Sequence, residues 1–452
     1  MDLREYMRGV PEFDRFLTVD ELHAGIARLA EDYPEIARLR RVGTSRLGEP
    51  LHLLSIGHGP KHAFIFGCPH PNEPIGAMMV HHLTAVLCRD AALRDGLGYT
   101  WHFIPCVDPD GTRLNEGWFA GPFTPRHYAR HFFRPAPDQQ VEWTFPVAYK
   151  RLFFDRVLPE TQMLMRVIDE LQPELMVSLH NAGFGGVYYY ISRAAEPLYD
   201  TLHQLPAWEE LPLNLGEPEA PFMQALAPAI YRMASVRESY DYLEAHGGDP
   251  TRRPSGTSSD DYARKYGTFT LVVEMPYFDD PRVNDQTVTD TRRRDAILHG
   301  LAIQEEATDI LRRHFLPVER ELRGHSPFER SVRSIVEDGT DMLEAQRRWA
   351  RESPETDRPA TVAELFSNNE LVQFYRMLGI GMLVRMLEGE VAIGNGTPAI
   401  REHLVGARAD FDRWCDRLES TLHYRAIPIR QLVAVQLGAV LATAQYLSDA
   451  RG

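Results

Sequence analysis

Apolar positions along the first 318 residues alternate between short continuous runs and helical spacings. A capping box at Thr18 and Glu21 opens a helix in which apolar residues recur every three or four positions. Short apolar runs such as His62–Phe66 have the length and composition of buried strands. The pattern predicts strands at 40–48, 51–57, 62–66, 101–107, 174–179, 187–191 and 268–273, with helices at 75–88, 160–171 and 287–315.

Strands that alternate with helices are typical of the α/β class. We therefore predict, for residues 1–318, a mixed, largely parallel central sheet with helices on both faces. Beyond residue 318 the strands stop, and four helices are predicted at 331–352, 362–388, 398–423 and 429–447. Helices in succession without strands favour a bundle. We expect residues 324–452 to form a C-terminal all-α domain.

The second helix of this predicted domain carries more apolar residues than a solvated helix would. They are Phe366, Leu371, Phe374, Met377, Leu378, Met382, Leu383 and Met386. Such a surface is normally buried, because large exposed apolar patches are rare on monomers. We expect burial within the bundle together with a homodimer contact. The alternative is a lid that folds over the catalytic cleft.

Composition and charge narrow the class of protein. The chain has 452 residues, of which 44% are apolar and 25% charged, as in ordinary globular proteins. Acidic residues outnumber basic ones by 64 to 49, and no basic stripe is present, which argues against a nucleic-acid partner. The four cysteines form no metal or disulfide pattern. The charged first 15 residues do not resemble a signal peptide, and the uncharged stretch 431–447 is too short to span a bilayer. We expect a cytoplasmic protein with no membrane partner.

A histidine and a glutamate three residues apart follow the predicted strand 62–66. His70-Pro-Asn-Glu73 lies between this strand and the next helix, at the carboxyl edge where open α/β sheets bind ligands. The spacing alone is weak, because a chain with 18 histidines and 64 acidic residues contains a few such pairs by chance. The position at a strand end is what singles out His70 and Glu73.

Two more candidates come directly after predicted strands. His180 follows strand 174–179, and Glu274 follows strand 268–273, so both are expected at the same sheet edge. Two histidines and one glutamate leave an open position on a tetrahedral Zn²⁺, which is the arrangement of catalytic rather than structural zinc. We predict one zinc per chain, held by His70, Glu73 and His180. Glu274 is placed to act as general base on a water molecule.

The ordered set of motifs resembles the zinc metallocarboxypeptidase family, the carboxypeptidase A/B type. The similarity runs from about Phe16 to Phe278. It includes the motifs above and, in order, Tyr33-Pro34, Gly43-Thr-Ser45-Arg-Leu-Gly48, Asp108-Pro-Asp-Gly111, Arg113-x-Asn115, Pro159-Glu160-Thr161, Ser178-Leu-His180 and Ser255-Gly256. The order of the whole set is far more specific than any one member.

The resemblance implies a role for each matching residue. It implies that His70, Glu73 and His180 hold zinc and that Glu274 is the general base. Arg113 would stabilise the oxyanion formed at the scissile carbonyl. Arg130 would bind the terminal carboxylate of the substrate. The remaining substrate-binding candidates are Asn115, Arg252 and Ser259.

Several positions depart from the family pattern. Asp108 stands where the family has asparagine, and Ala129 stands where an asparagine normally precedes the carboxylate-binding arginine. Arg252 occupies the position of a tyrosine that caps the substrate. Ser259, at the specificity position, is neither acidic nor bulky, so it predicts neither a basic nor a large aromatic terminal residue.

These departures leave three hypotheses. The leading one is a zinc hydrolase that cleaves an amide or peptide bond next to a carboxylate-bearing residue, acting on a small peptide. The second is a deacylase of N-acyl amino acids, or a specialised small-molecule amidase, with the same metal site. The third is a catalytically silent scaffold that acts through its helical domain.

Overall fold

The apolar runs of the first 274 residues form one nine-stranded sheet. The computed structural model of the protein describes residues 1–252, 255–338 and 340–449. The strands of the sheet are β1 (Ala37–Thr44), β2 (Pro50–Ile56), β3 (Lys61–Phe66), β4 (Tyr99–Ile104), β5 (Leu175–His180), β6 (Tyr188–Ile191), β7 (Ala225–Ala227), β8 (Ile230–Arg232) and β9 (Phe269–Glu274). Their order across the sheet is β1-β2-β4-β3-β5-β9-β6-β8-β7.

The centre of the sheet is parallel and its flanks are mixed. Strands β4, β3, β5 and β9 run in the same direction, so their carboxyl ends meet at one edge. Strand β6 pairs with β9 in the antiparallel sense, and β1 and β2 close the other side as an antiparallel pair. This confirms the predicted mixed, largely parallel sheet.

Helices cover both faces of the sheet, and further helices follow in the C-terminal third. They are α1 (Leu3–Arg8), α2 (Val19–Asp32), α3 (Ile75–Arg89), α4 (Ala91–Gly96), α5 (Pro109–Arg113), α6 (Pro125–His131), α7 (Pro159–Leu171), α8 (Glu196–Trp208), α9 (Val236–Ala245), α10 (Ser259–Ala263), α11 (Arg293–Phe315), α12 (Pro327–Asp338), α13 (Thr340–Glu352), α14 (Val362–Phe366), α15 (Val372–Ala392), α16 (Pro398–Glu419) and α17 (Ile429–Asp449). A π-helical turn, Ser367–Leu371, joins α14 to α15. Three two-stranded ribbons pair Val147–Tyr149 with Leu152–Phe154, Phe278–Asp279 with Arg425–Ala426, and Val288–Arg292 with Pro359–Thr361.

Strand side chains that alternate between the two faces divide the core into two layers. Phe64 and Phe66 of β3 pack on the α7 side, whereas Ile65 between them packs in the cluster that contains α3, α8 and α17. Because successive side chains of a strand point to opposite faces, a fully apolar strand needs cover on both sides. Strands β5 and β9 are therefore buried along their whole length, and β3 is buried from Ala63 to Phe66.

The C-terminal part of the chain is mainly helical, as predicted, and its helices pack on one another and on the sheet region. A separate domain at residues 324–452 stays a prediction. Helix α15 packs against α11, α12 and α16, and also against α6 of the sheet region. The last helix, α17, returns to the sheet and packs on α1, α3 and α8. It has buried side chains on all sides, so it suits a position between the sheet and other helices. We use the term helical layer for α11, α12, α13, α15 and α16.

The apolar residues of the predicted helix 362–388 are buried within the chain. Phe374 and Leu383 are fully buried, and the others are buried too, except Leu371, which is partly exposed. This burial removes the reason for expecting a homodimer, which stays a prediction. Within the described part of the chain, we find no helix with both the length and the hydropathy that crossing a bilayer requires.

Candidate metal centre

The register of the central strands brings two candidate residues side by side. His180 is the last residue of β5 and Glu274 the last of β9, and the two lie directly opposite each other in the parallel pair. Strand β3 is the other neighbour of β5, and the loop that follows β3 carries His70 and Glu73. Parallel neighbours have their carboxyl ends at the same edge, which is why these four residues meet.

Several contacts fix the loop over the end of β5. The N-terminal turn of α3 approaches β5 so closely that a side chain at Gly76 would collide with Leu179. The side-chain oxygen of Asn181 accepts hydrogen bonds from the backbone N–H of Ile75 at 3.1 Å and from the Tyr277 hydroxyl at 2.9 Å. The loop that holds His70 and Glu73 is thus tied to the residue that follows His180.

The ligand atoms of His70, Glu73 and His180 converge. One nitrogen or oxygen of each lies within 4.8 Å of the others, and all three residues are buried. Nδ1 of His180 is 3.0 Å from Oε2 of Glu73. The other ring nitrogen of His180, Nε2, is 2.9 Å from the Ser178 hydroxyl, which fixes the ring.

The cluster has the properties of a metal site. Nδ1 of His70 is buried and has no hydrogen-bond partner among the described residues. Buried polar atoms without partners are rare unless something else binds there. Two imidazoles and one carboxylate are a donor set that suits Zn²⁺. The residues present therefore fit the metal that the sequence predicted.

The electrostatics of the cluster also favour a cation. Burial acts to lower the pKa of His180, but the hydrogen bond to Glu73 and the charges of Glu73, Glu274 and Glu142 outweigh it and raise the pKa to about 9. Burial and the positive charge of Arg134 hold the pKa of His70 well below its usual range, so this imidazole is neutral and free to bind a metal.

Glu274 lies beside the cluster and is not one of its members. Its Oε1 is 4.0 Å from Nδ1 of His180. Burial and the charge of Glu73 raise the pKa of Glu274 well above its usual range, although His180 opposes the shift. A bound cation would favour the ionised carboxylate, because positive charge nearby lowers the pKa of an acid.

The cluster opens into a cavity of about 500 Å³. On the sheet side the wall includes Glu142, Trp143, Tyr188 and Tyr190. The helical layer and the adjoining π-helical turn supply the opposite wall, with Ile297, Leu301, Gln304, Gln346, Trp349, Asn368, Val372, Tyr375 and Arg376. Helix α15 lies so close to α6 that a side chain at Gly381 would collide with the Ala129 carbonyl. The helical layer is thus a fixed wall of the site in this structure.

The structure does not place Arg113 or Arg130 at the cavity. Arg113 donates to Asp20 at 2.7 Å and to Glu49 at 2.8 Å. Arg130 forms an ion pair with Glu388 of α15. Neither side chain lines the cavity, because each is held by carboxylates elsewhere. The expected oxyanion role of Arg113 and carboxylate-binding role of Arg130 stay predictions.

The other three predicted substrate contacts also lie outside the cavity. The side chain of Asn115 is buried and bonded to backbone atoms of Gly111 and Phe133, so it organises the segment that leads to Arg134. Arg252 is exposed and pairs with Asp341. Ser259 lies behind the wall, where its N–H and hydroxyl both donate to Oε1 of Glu142.

Arg134 is the cavity residue that sequence reasoning missed. Its Nη1 donates to Oε1 of Glu73 at 2.9 Å, and its side chain is 32% exposed. No local signal separated Arg134 from Arg130, since both lie in one segment rich in arginine and aromatic residues. Gln436 of α17 was missed too, and its amide donates to the His180 carbonyl at 3.0 Å.

Comparison with known proteins identifies the family. The sequence model of the zinc carboxypeptidase family, peptidase M14, matches residues 22–284, which is more than half of the chain. The chain therefore belongs to the zinc carboxypeptidase family. Zinc is the metal of this family, and His70, Glu73 and His180 are, in the described ranges, the cluster that could hold it.

Individual relatives are distant. Carboxypeptidase B of Astacus astacus is 32% identical over 97 residues, which cover 20% of this chain and 32% of that protein. The match thus spans about a third of the length of this relative. Carboxypeptidase A of Helicoverpa armigera is 14% identical with a TM-score of 0.37, covering 58% of this chain and 65% of that one. Murein-tripeptide amidase of Escherichia coli O157 is 18% identical with a TM-score of 0.28, covering 53% and 88%. We draw no conclusion about substrate from these similarities.

Proposed function

We propose that this chain is a zinc-dependent hydrolase that cleaves an amide or peptide bond next to a carboxylate-bearing residue. The observation that carries the proposal is the buried cluster of His70, Glu73 and His180, with Glu274 4.0 Å from His180 at the mouth of a cavity. Three protein ligands with an acid beside them are the arrangement of a hydrolytic zinc site.

In this proposal the metal and Glu274 have separate tasks. When bound, Zn²⁺ supplies a Lewis acid for the scissile carbonyl and lowers the pKa of water. The Glu274 carboxylate accepts a proton from the attacking water and gives it to the leaving nitrogen. Cavity walls such as Trp143 and Trp349 exclude bulk water and hold the substrate.

We assign the stabilisation of the oxyanion to Arg134 instead of Arg113. Arg134 lines the cavity and contacts the metal ligand Glu73. Arg113 instead pairs with two carboxylates that do not line the cavity. A guanidinium at this place presents several fixed N–H donors toward developing negative charge. Asn115 supports the role indirectly, because it fixes Phe133, the residue before Arg134.

The size of the cavity keeps the second candidate function open. A wall contributed by α11, α13 and α15 encloses the metal cluster, which favours small substrates over long chains. A deacylase of N-acyl amino acids or a small-molecule amidase would use the same cluster and the same base. In a blocked dipeptide and in an N-acyl amino acid the carboxylate lies on the amine side of the scissile bond. The two substrates differ in the acyl group, which is an N-blocked aminoacyl group in the first and a simple acyl group in the second.

A substrate panel tests the proposal. The purified protein is analysed for zinc and assayed with blocked dipeptides that have a free carboxylate, with N-acyl amino acids, and with peptide amides. We expect turnover that a chelator abolishes and added zinc restores. Preference for blocked dipeptides supports the peptidase, and preference for N-acyl amino acids supports the deacylase. A zinc-loaded protein that hydrolyses no member of the panel would contradict the proposed function.

A further inference from the structure

One arginine of the helical layer reaches the cavity without a partner. Arg376 lies on α15 and lines the same cavity as His70, Glu73, His180 and Glu274. Its Nε is buried and has no hydrogen-bond partner among the described residues. In the described part of the chain, no carboxylate forms an ion pair with its guanidinium and no acceptor takes a hydrogen bond from it.

Comparison with other arginines shows that this is unusual. Arg134, the other arginine of the cavity wall, is bonded to Glu73. Arg385, two and a half turns further along α15, donates to the carbonyls of Leu114, His131 and Phe132. Arg293 of α11 is buried between Glu217 and Glu364. Each of these side chains has a structural reason for its position, and Arg376 has none within the described chain.

An uncompensated guanidinium is costly to bury. Burial lowers the pKa of Arg376 from its ordinary value, and no neighbouring acid counteracts the shift. Arginine nevertheless stays charged in proteins, so the partial burial of Arg376 without an acidic partner in the described chain destabilises the folded state unless an anion binds. A ligand carboxylate would therefore bind Arg376 more tightly than it would bind an arginine that already pairs with an acid.

The residue before Arg376 lies near the acidic side of the site. Burial raises the pKa of the preceding residue, Tyr375, and the charges of Glu219 and Glu274 raise it further, so that phenol lies near these two carboxylates. The π-helical turn just before α15 shifts the register of the helix, and such turns often occur at functional sites.

We propose that Arg376 binds the carboxylate of the substrate, so that the helical layer, and not the segment around Arg130, selects substrates bearing a carboxylate. This inference rests on the proposed function. A guanidinium offers two parallel N–H donors to a carboxylate, which gives both affinity and orientation. The substrate would then extend from the metal cluster to α15, with its amide bond beside Glu274.

Matched ligands that differ by one charge test this inference. The probes are the N-acetyl derivatives of glycine, leucine, phenylalanine and glutamate, each compared with the corresponding α-amide. Binding is measured by calorimetry on zinc-loaded protein carrying Glu274→Gln, so that turnover does not interfere. We expect at least one acid to bind more tightly than its amide. Arg376→Gln should remove that preference with a loss of roughly 10- to 100-fold, and Arg376→Lys should retain part of it.

Two further variants separate this role from a structural one. Arg130→Gln, in the segment first expected to bind the carboxylate, should leave the preference for the acid unchanged. Arg408→Gln, at an exposed position of α16, serves as the neutral control. Because Arg376→Gln removes an uncompensated charge, its thermal midpoint should equal or exceed that of the wild type. A structural arginine would give the opposite result.

The outcomes distinguish this inference from the proposed function. If no acid binds more tightly than its amide, or if Arg130→Gln and not Arg376→Gln removes the preference, the inference is wrong even when hydrolysis is found. If Arg376→Gln removes the preference but no substrate is hydrolysed by the wild type, Arg376 is the carboxylate site and the proposed hydrolase activity is wrong. In kinetic assays the inference requires a rise in KM for acids, with a smaller change in kcat.

Discussion

The sheet edge and the helical layer face each other across one cavity, and they contribute different kinds of residue. The sheet edge supplies His70, Glu73, His180 and Glu274, each at or near the end of a strand. The helical layer supplies mostly wall positions, such as Trp349 and Tyr375, and one unpaired charge, Arg376.

This difference suggests a division between chemistry and selection. Residues at the ends of hydrogen-bonded parallel strands are held rigidly, which suits metal ligands and a general base. Residues on the helical layer touch the part of the substrate away from the scissile bond, which suits recognition. Variants of the sheet edge should therefore change metal content and kcat, and variants of the helical layer should change KM and substrate range.

The largest effect is expected from loss of a metal ligand. In His180→Ala, Glu73 and His70 are left without the third donor, so zinc content should fall from one per chain to near zero and activity to background. Elemental analysis of the purified variant measures this. His246→Ala is the control, since His246 binds the Tyr242 carbonyl away from the cavity. Full zinc content in His180→Ala would show that the ligand assignment is wrong.

The next largest effect is expected from the general base. Glu274→Gln keeps the shape of the side chain but cannot accept a proton, so kcat should fall by about 10²–10⁴-fold while zinc is retained. Steady-state kinetics with the best substrate of the panel measures the loss. Glu142→Gln is the matched comparison, because Glu142 is also a buried acid of the cavity wall. A loss below tenfold for Glu274→Gln, with a larger one for Glu142→Gln, would transfer the role to Glu142.

A smaller effect is expected from Ser178, which supports the metal ligand His180. Ser178→Ala removes the hydroxyl that fixes Nε2 of His180, and removal of such supporting groups typically weakens metal binding by about 10- to 100-fold. Competition with a zinc chelator of known affinity measures the change. The buried hydroxyl of Thr84, which bonds only to backbone carbonyls of α3, provides the control in Thr84→Ala. Unchanged zinc affinity in Ser178→Ala would show that the ring is fixed by other contacts.

The smallest effect is expected from a cavity-wall residue of the helical layer. Trp349→Ala enlarges the cavity at α13, so KM should change by about tenfold or less and bulkier acyl or side-chain groups should be accepted. Zinc content and kcat for small substrates should stay as in the wild type. Trp208→Ala, at the end of α8 and outside the cavity, is the control. A large fall in kcat in Trp349→Ala would contradict the division between chemistry and selection.

Much of the sheet was predictable from local pattern. The run His62–Phe66 became β3, and the apolar segment that ends in Glu274 became β9. The edge strands Ala225–Ala227 and Ile230–Arg232 were not predicted, because three residues are too short for a period to be recognised. Helix α17 was predicted as a helix, but its contacts with α1, α3 and α8 were not predicted. Its apolar surface indicated burial without indicating which surface would cover it.

The sequence by itself determined which residues gather at the sheet edge, and the tertiary structure decided which arginines line the cavity beside them. His180 and Glu274 could be found because a strand end defines its own position, and parallel strands bring such ends together. Arginines carry no such signal. The side chain of Arg130 is held outside the cavity by its ion pair with Glu388, which is 258 residues later in the sequence. Arg376 lines the cavity because α15 packs across α6. The direction of a long charged side chain depends on partners that only the folded chain brings within reach.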